Sequence, residues 1–245
     1  MGIVLLVLLA GAGCVANEFD EAPIELACAV GVVRGHTWAD VEQVAKLAEQ
    51  LDPLVQAMVR PRETVPLRIV VVPPHPSQPS ESTCVFESDA HGTWVRRFIA
   101  IRTEPELARS YLLAHELVHW HADWAWDHLP IAVEEGMAEL VAGQLLREQG
   151  AVRDAFLGAL GKRLEGDSLR MLEVERGTER LLDVHSRQML YWVGKSVAKR
   201  IGIDRLRSWC EKAKADGLGQ LPLERFRAPP HESAPGESTG QFMHR

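Results

Sequence analysis

The hydrophobic period of this chain changes near Thr103, and that change constrains its fold more than any other feature. Before Thr103 the apolar residues fall in short β-branched runs, with one helical stretch between them; after it they recur at about 3.6 residues, as on one face of a helix. A strand-rich half followed by a helical half implies an α+β fold: a small mixed sheet with one helix, then a mainly helical C-terminal half.

Within the first half, Glu25 to Val33 is apolar and β-leaning and predicts a strand. Thr37 can cap a helix to about Val59, with Val41, Val44, Leu47, Ala48, Leu51 and Val55 at helical spacing and Pro53 expected to kink or divide it. Pro66 to Val72 predicts a second strand, Pro73 to Ser82 a loop, and Thr83–Phe86 and Trp94–Ile101 two further strands around the Asp89-Ala90-His91-Gly92 turn. Thr103-Glu104-Pro105-Glu106 joins a capping box to a first-turn proline and starts a helix to about His121. Another helix runs from near Pro130 to about Gln149, stopped by Gly150, and others follow at about 151–164, 187–201 and 203–215. The chain thus divides into a strand-rich subdomain (17–103), a helical subdomain (104–227) and a Pro-, Gly-, Ser- and Glu-rich tail (228–245) of disordered composition.

Of the 245 residues, the roughly two hundred between the two ends suit one domain, or one with a small annex. The net charge of −7, with no basic stripe, argues against nucleic acid as a partner. Ile3 to Ala10 is an unbroken apolar run, too short to span a bilayer but suited to the core of a signal peptide covering residues 1–16. Leu9-Ala10-Gly11-Ala12-Gly13-Cys14 resembles a bacterial lipobox, which would put a lipid and a membrane attachment on Cys14. It departs from that pattern at Gly11, where Leu is preferred, and in having no Lys or Arg before the run; cleavage after Ala16 without lipid is the other option. Either route exports the chain, as an envelope lipoprotein facing the periplasm or as a secreted protein. Export permits disulfides, and Cys28 with Cys84 is the favoured pair, with buried free thiols as the alternative.

His115-Glu116-Leu117-Val118-His119 lies inside the helix that begins near Thr103. Four residues are about one turn, so the two imidazoles share a face and can meet one Zn²⁺. Glu116 stands at the shoulder of that face, placed to reach a metal-activated water as general base rather than the metal itself. A catalytic zinc needs a third protein ligand. His121 is turned roughly 240° from His115 and faces away. A Gly and a His three and six residues beyond His119 would supply another solution, but Ala122 and Ala125 stand there. Glu135, in Val133-Glu134-Glu135-Gly136-Met137-Ala138-Glu139, remains. Two antiparallel helices could bring it opposite the imidazoles, with Gly136 and Ala138 small enough for close approach. Glu139, one turn on, could accept a hydrogen bond from the far nitrogen of a ligand His. A solvated helix face is the plain alternative for these three glutamates.

His115-Glu116-x-x-His119 followed by Glu135-Gly136-x-Ala138-Glu139 resembles the gluzincins, and most the bacterial peptidase-MA-like group, related to the catalytic cores of thermolysin and aminopeptidase N. The likeness covers roughly residues 105–210; Ala132 stands where that group usually has Trp, and no Gly-x-Met-x-Asn exopeptidase motif is present. It implies a zincin-like fold and a zinc metallopeptidase that cleaves a peptide or protein substrate. It also implies that Tyr191, in Tyr191-Trp192-Val193-Gly194, donates a hydrogen bond to the oxyanion of the tetrahedral intermediate, with His185, oriented by Asp183, as a rival donor. Trp120, Trp124 and Trp126 either wall a cleft or pack the loop after the metal helix. His36, His75, His91 and His128 lack partners at ligand spacing. The competing functional class is a non-catalytic envelope module that keeps the fold and the zinc and binds a partner.

Overall fold

The computed structural model describes residues 18–73, 80–88, 94–103, 106–126, 128–161, 168–176, 178 and 181–227. The expected signal segment with Cys14, most of the proline-rich loop, the Asp89–Gly92 turn, Glu104-Pro105 and the C-terminal tail lie outside them.

A five-stranded mixed sheet carries the first half. Its strands β1 (Ile24–Cys28), β2 (Gly31–Gly35), β3 (Leu67–Val71), β4 (Ser80–Ser88) and β5 (Trp94–Thr103) lie in the order β1-β2-β3-β5-β4. The central β2, β3 and β5 run parallel, while β1 and β4 pair antiparallel at the two edges. Alternation along β3 sorts the core. Leu67, Ile69 and Val71 face the main cluster shared with the helices; Val70 and Val72 face a smaller one with Phe98, Ala100 and Phe19, the last from the short α1 (Glu18–Glu21).

Two expectations for the sheet are corrected. The apolar stretch Glu25–Val33 is a hairpin, not one strand: Cys28 pairs with Gly31 across a turn at Ala29-Val30. Gly31 sits at φ 155° with the Leu67 backbone so close that no Cβ would fit, so only glycine can open β2 there. The favoured disulfide does not form, because Cys28 is a free thiol. Cys28 and Cys84 lie on strands at opposite edges of the sheet, about 19 Å apart at about 4.8 Å per strand, whereas a disulfide needs Cα atoms within about 7 Å.

Helix α2 (Trp38–Val59) starts where Thr37 predicts, with the Thr37 side chain accepting from Asp40 N at 3.2 Å. It neither divides nor ends at Pro53. Its buried stripe of Val41, Val44, Ala48, Leu51, Val55 and Val59 continues past the proline, and that packing outweighs the one helical bond proline forfeits. Arg60 closes the helix in the left-handed conformation, φ 54°.

The second half holds α3 (Glu106–His121), α4 (Ile131–Leu145), α5 (Arg147–Gly161), a 3-10 turn (Ser168–Glu173), α6 (Val184–Ile201), α7 (Ile203–Ala215) and the short α8 (Glu224–Arg227). Gly150 does not stop the helix that precedes it. The break comes earlier, at Leu146, and Gly150 lies inside α5, where a Cβ would sit 2.5 Å from the Gly143 carbonyl oxygen of α4. Gly136 likewise has a different partner from the one expected. It opens α4 to α6 rather than to α3, because a Cβ there would strike the backbone of Gly194, and one at Gly194 would strike the Ala132 carbonyl. The α4–α6 crossing is therefore backbone against backbone. Among the described residues, no helix is long and apolar enough to cross a membrane.

Candidate metal centre

Helix α3 presents His115 and His119 on one face, one turn apart, and α4 brings Glu135 against them. His115 Nε2 lies 3.1 Å from Glu135 Oε2 and 3.2 Å from His119 Nε2, and His119 Nε2 lies 3.5 Å from Glu135 Oε2. These three atoms form the one group of ligating atoms among the described residues that could hold a metal ion. Both histidines are buried, and the Glu135 side chain is 16% exposed.

The imidazoles are held from behind as well. His119 Nδ1 lies 3.2 Å from Glu134 Oε1, which marks Nδ1 as the nitrogen that carries the proton and leaves Nε2 as the ligand. Arg176 pairs with the other oxygen of Glu134. His115 Nδ1 faces Glu139 Oε1 at 3.9 Å, an ion-pair distance beyond direct hydrogen-bond reach. Glu139 is held by Arg153, whose Nη2 donates to Oε1 at 2.7 Å, and by the Tyr111 hydroxyl, which donates to Oε2 at 2.8 Å. Glu139 therefore takes the predicted place behind His115, but more loosely than Glu134 does behind His119.

Burial alone would disfavour charge on the Glu135 carboxyl, yet the His119 and His115 rings outweigh it and hold the group far below the ordinary carboxylate range. His119 shows the converse: burial opposes the imidazolium, while the Glu135 and Glu134 carboxylates hold its pKa well above the usual value. The carboxylates behind the triad each face a guanidinium, Glu134 that of Arg176 and Glu139 that of Arg153, while Glu135 faces the two imidazoles.

Glu116 is 5% exposed and follows His115 directly on α3. The Tyr191 ring packs on the edge of the His115 ring, with centroids 6.1 Å apart. Gly194, one turn beyond Tyr191, makes the close α6–α4 crossing, and this seats Tyr191 beside the triad. Burial first, then the Glu135 carboxylate, pushes the Tyr191 phenol well above its ordinary pKa, so it stays protonated. Of the rival pair, His185 is exposed and Asp183 caps α6 by accepting from Ser186 N at 2.7 Å.

His121 does face away from the triad. It is 2% exposed and its Nε2 lies 2.6 Å from Asp52 Oδ1 on α2. Trp120 and Trp124 are buried and pack the core, as the plainer reading has it. His128 is a structural contact to the Gly219 carbonyl at 3.0 Å. Sequence reasoning passed over Glu134, Arg176, Arg153 and Tyr111. Glu134 carried one usable signal, its place beside Glu135 on the same helix; the arginines carried none, because only the tertiary packing brings them in.

Compared with known proteins, the chain matches no protein-family model, no curated protein and no solved structure.

Proposed function

We propose that this chain is an exported zinc metallopeptidase of gluzincin type, with His115, His119 and Glu135 as the protein ligands of one Zn²⁺. One observation carries the reading: the ligand atoms lie 3.1, 3.2 and 3.5 Å from one another. A tetrahedral ion with ligands at about 2.0–2.1 Å has ligand atoms about 3.3 Å apart, so the triad fits three corners and leaves a fourth. Two imidazoles and a carboxylate are also the donor set of a catalytic zinc site.

When bound, the ion supplies Lewis-acid activation of water and of a carbonyl oxygen. The Glu116 carboxylate takes the proton of the attacking water and returns it to the leaving amine nitrogen. The Tyr191 hydroxyl, protonated and beside His115, donates a hydrogen bond to the carbonyl oxygen as negative charge builds on it. Glu134 orients the His119 ring from behind, and Glu139 places a negative charge behind His115.

Zinc content and cleavage of a peptide library, measured on the parent and on Glu116→Gln, test this. The parent is expected to hold one zinc and to cleave, and the variant to keep the zinc while losing about 10²–10⁴-fold in rate. A Glu116→Gln variant as fast as the parent would end the general-base role. A zinc-loaded parent that cleaves nothing would favour the non-catalytic module that binds a partner.

A further inference from the structure

The orientation of His119 is set by a residue far along the chain. Glu134 is 1% exposed and uses both oxygens: Oε1 faces His119 Nδ1 at 3.2 Å, and Oε2 is paired to Arg176. Arg176 in turn lies over an aromatic face, its guanidinium carbon 4.3 Å from the ring centroid of Trp126 in the loop after α3. It follows the 3-10 turn Ser168–Glu173, which is anchored in the core by Leu172 at 2% exposure. A planar guanidinium fixed on a ring face can hold a carboxylate in one rotamer, as a flexible ammonium cannot. Without Arg176, a carboxylate this buried would turn toward another partner, and His119 would lose the group that aims it.

We infer that Arg176 is a positioning residue of the metal centre, acting through Glu134 to aim His119 Nε2 at the ion, so that zinc affinity depends on the 168–176 segment being docked. This rests on the zinc reading above. Losing such a partner behind a metal ligand typically weakens metal binding about 10–100-fold.

The test measures Zn²⁺ affinity by chelator competition for the parent, Arg176→Met, Arg176→Lys, Glu134→Gln and the double variant Glu134→Gln/Arg176→Met. Visible absorption spectra of the Co²⁺-loaded proteins are read alongside. Arg176→Met is expected to bind zinc about 10–100-fold more weakly and to shift the cobalt bands, and Arg176→Lys to recover part of the affinity. Arg176→Met should add no further loss in the Glu134→Gln background, because its effect passes through Glu134. A merely structural salt bridge would lower the urea midpoint of the metal-free proteins and leave the affinity and cobalt spectrum of the folded fraction unchanged. A parent that binds zinc while Arg176→Met binds it equally tightly, or losses that add in the double variant, overturns this inference alone. A parent that takes up no zinc overturns the metal-centre reading with it.

Discussion

Replacing Gly194 by alanine tests the helix crossing that seats Tyr191. An alanine Cβ at this position would lie 1.5 Å from the Ala132 carbonyl oxygen and 3.1 Å from Gly136 N, whereas real Cβ atoms essentially never come within 3.0 Å of such atoms. Both obstacles are backbone atoms of α4, so no rotamer change relieves them, and the helices must separate by at least about 1.5 Å. Overpacking of this kind costs about 1–3 kcal/mol and sometimes more, and a backbone-to-backbone clash belongs at the upper end. Higher helix propensity returns about 1 kcal/mol. The net loss is about 2 kcal/mol, or a fall in Tm of about 4–8 °C for a domain of this size. Gly143→Ala on α4 is the control. Its Cβ would meet the Lys195 Nζ at 3.1 Å, the end of a flexible side chain, and the Gly150 Cα and Tyr111 hydroxyl at the ordinary contact distances of 3.6 and 3.8 Å. Propensity then dominates, and stability should be unchanged or rise by up to about 1 kcal/mol. Urea denaturation of parent and both variants reads the difference. Were Gly194→Ala as stable as Gly143→Ala, the α4–α6 contact would not be as close as described, and the seating of Tyr191 would lose its basis.

Three further outcomes are expected. Zinc added to about 100 times its Kd should stabilise the chelator-treated protein by about 2.7 kcal/mol in urea titrations, and zinc without effect on the midpoint would contradict a native-state site. Cys210 is buried and desolvation pushes its thiol up to about 12, so at pH 8 its thiolate is scarce; a thiol-specific reagent should modify it only on unfolding, and rapid labelling of the native protein would show the burial to be wrong. The Asp40 carboxyl is held below its ordinary 3.8, first by the Thr37 hydroxyl and then, against some desolvation, by Arg109, whose Nη1 lies 2.8 Å away. A lowered folded-state pKa stabilises above the unfolded value and ceases to do so as pH falls through the folded one. Asp40→Asn should therefore reduce unfolding free energy at pH 7 and converge with the parent once the pH has fallen below the folded-state pKa; a gap that persisted in acid would assign the loss to something other than charge.

Local rules made part of this molecule legible. The His115–His119 pair follows from helix geometry alone, and α7 coincides with its expected span because its apolar residues keep one period between Gly202 and Asp216. Glu135 could be reached by elimination, since a three-ligand site leaves few donors once His121 is turned away. What the sequence hid were matters of tertiary contact. The β1–β2 turn lies within an unbroken apolar run, so nothing polar marks it. Gly136 and Gly150 read as spacers or stops until the backbones they admit, at Gly194 and Gly143, are known. Arg176 lies 42 residues from Glu134, and no periodicity reaches that far.

The His121–Asp52 bond has a mechanical consequence for the centre. His119 and His121 leave α3 on opposite sides, one toward the ligand cluster and one into α2, so the helix is gripped like a spindle from two directions. Side-chain tips lie about 5–6 Å from a helix axis, so a roll of about 10° would sweep them through about 1 Å. Metal ligation tolerates only about 0.2 Å. A tether two residues past His119, on the far side of the same rod, removes that freedom from the folded chain itself.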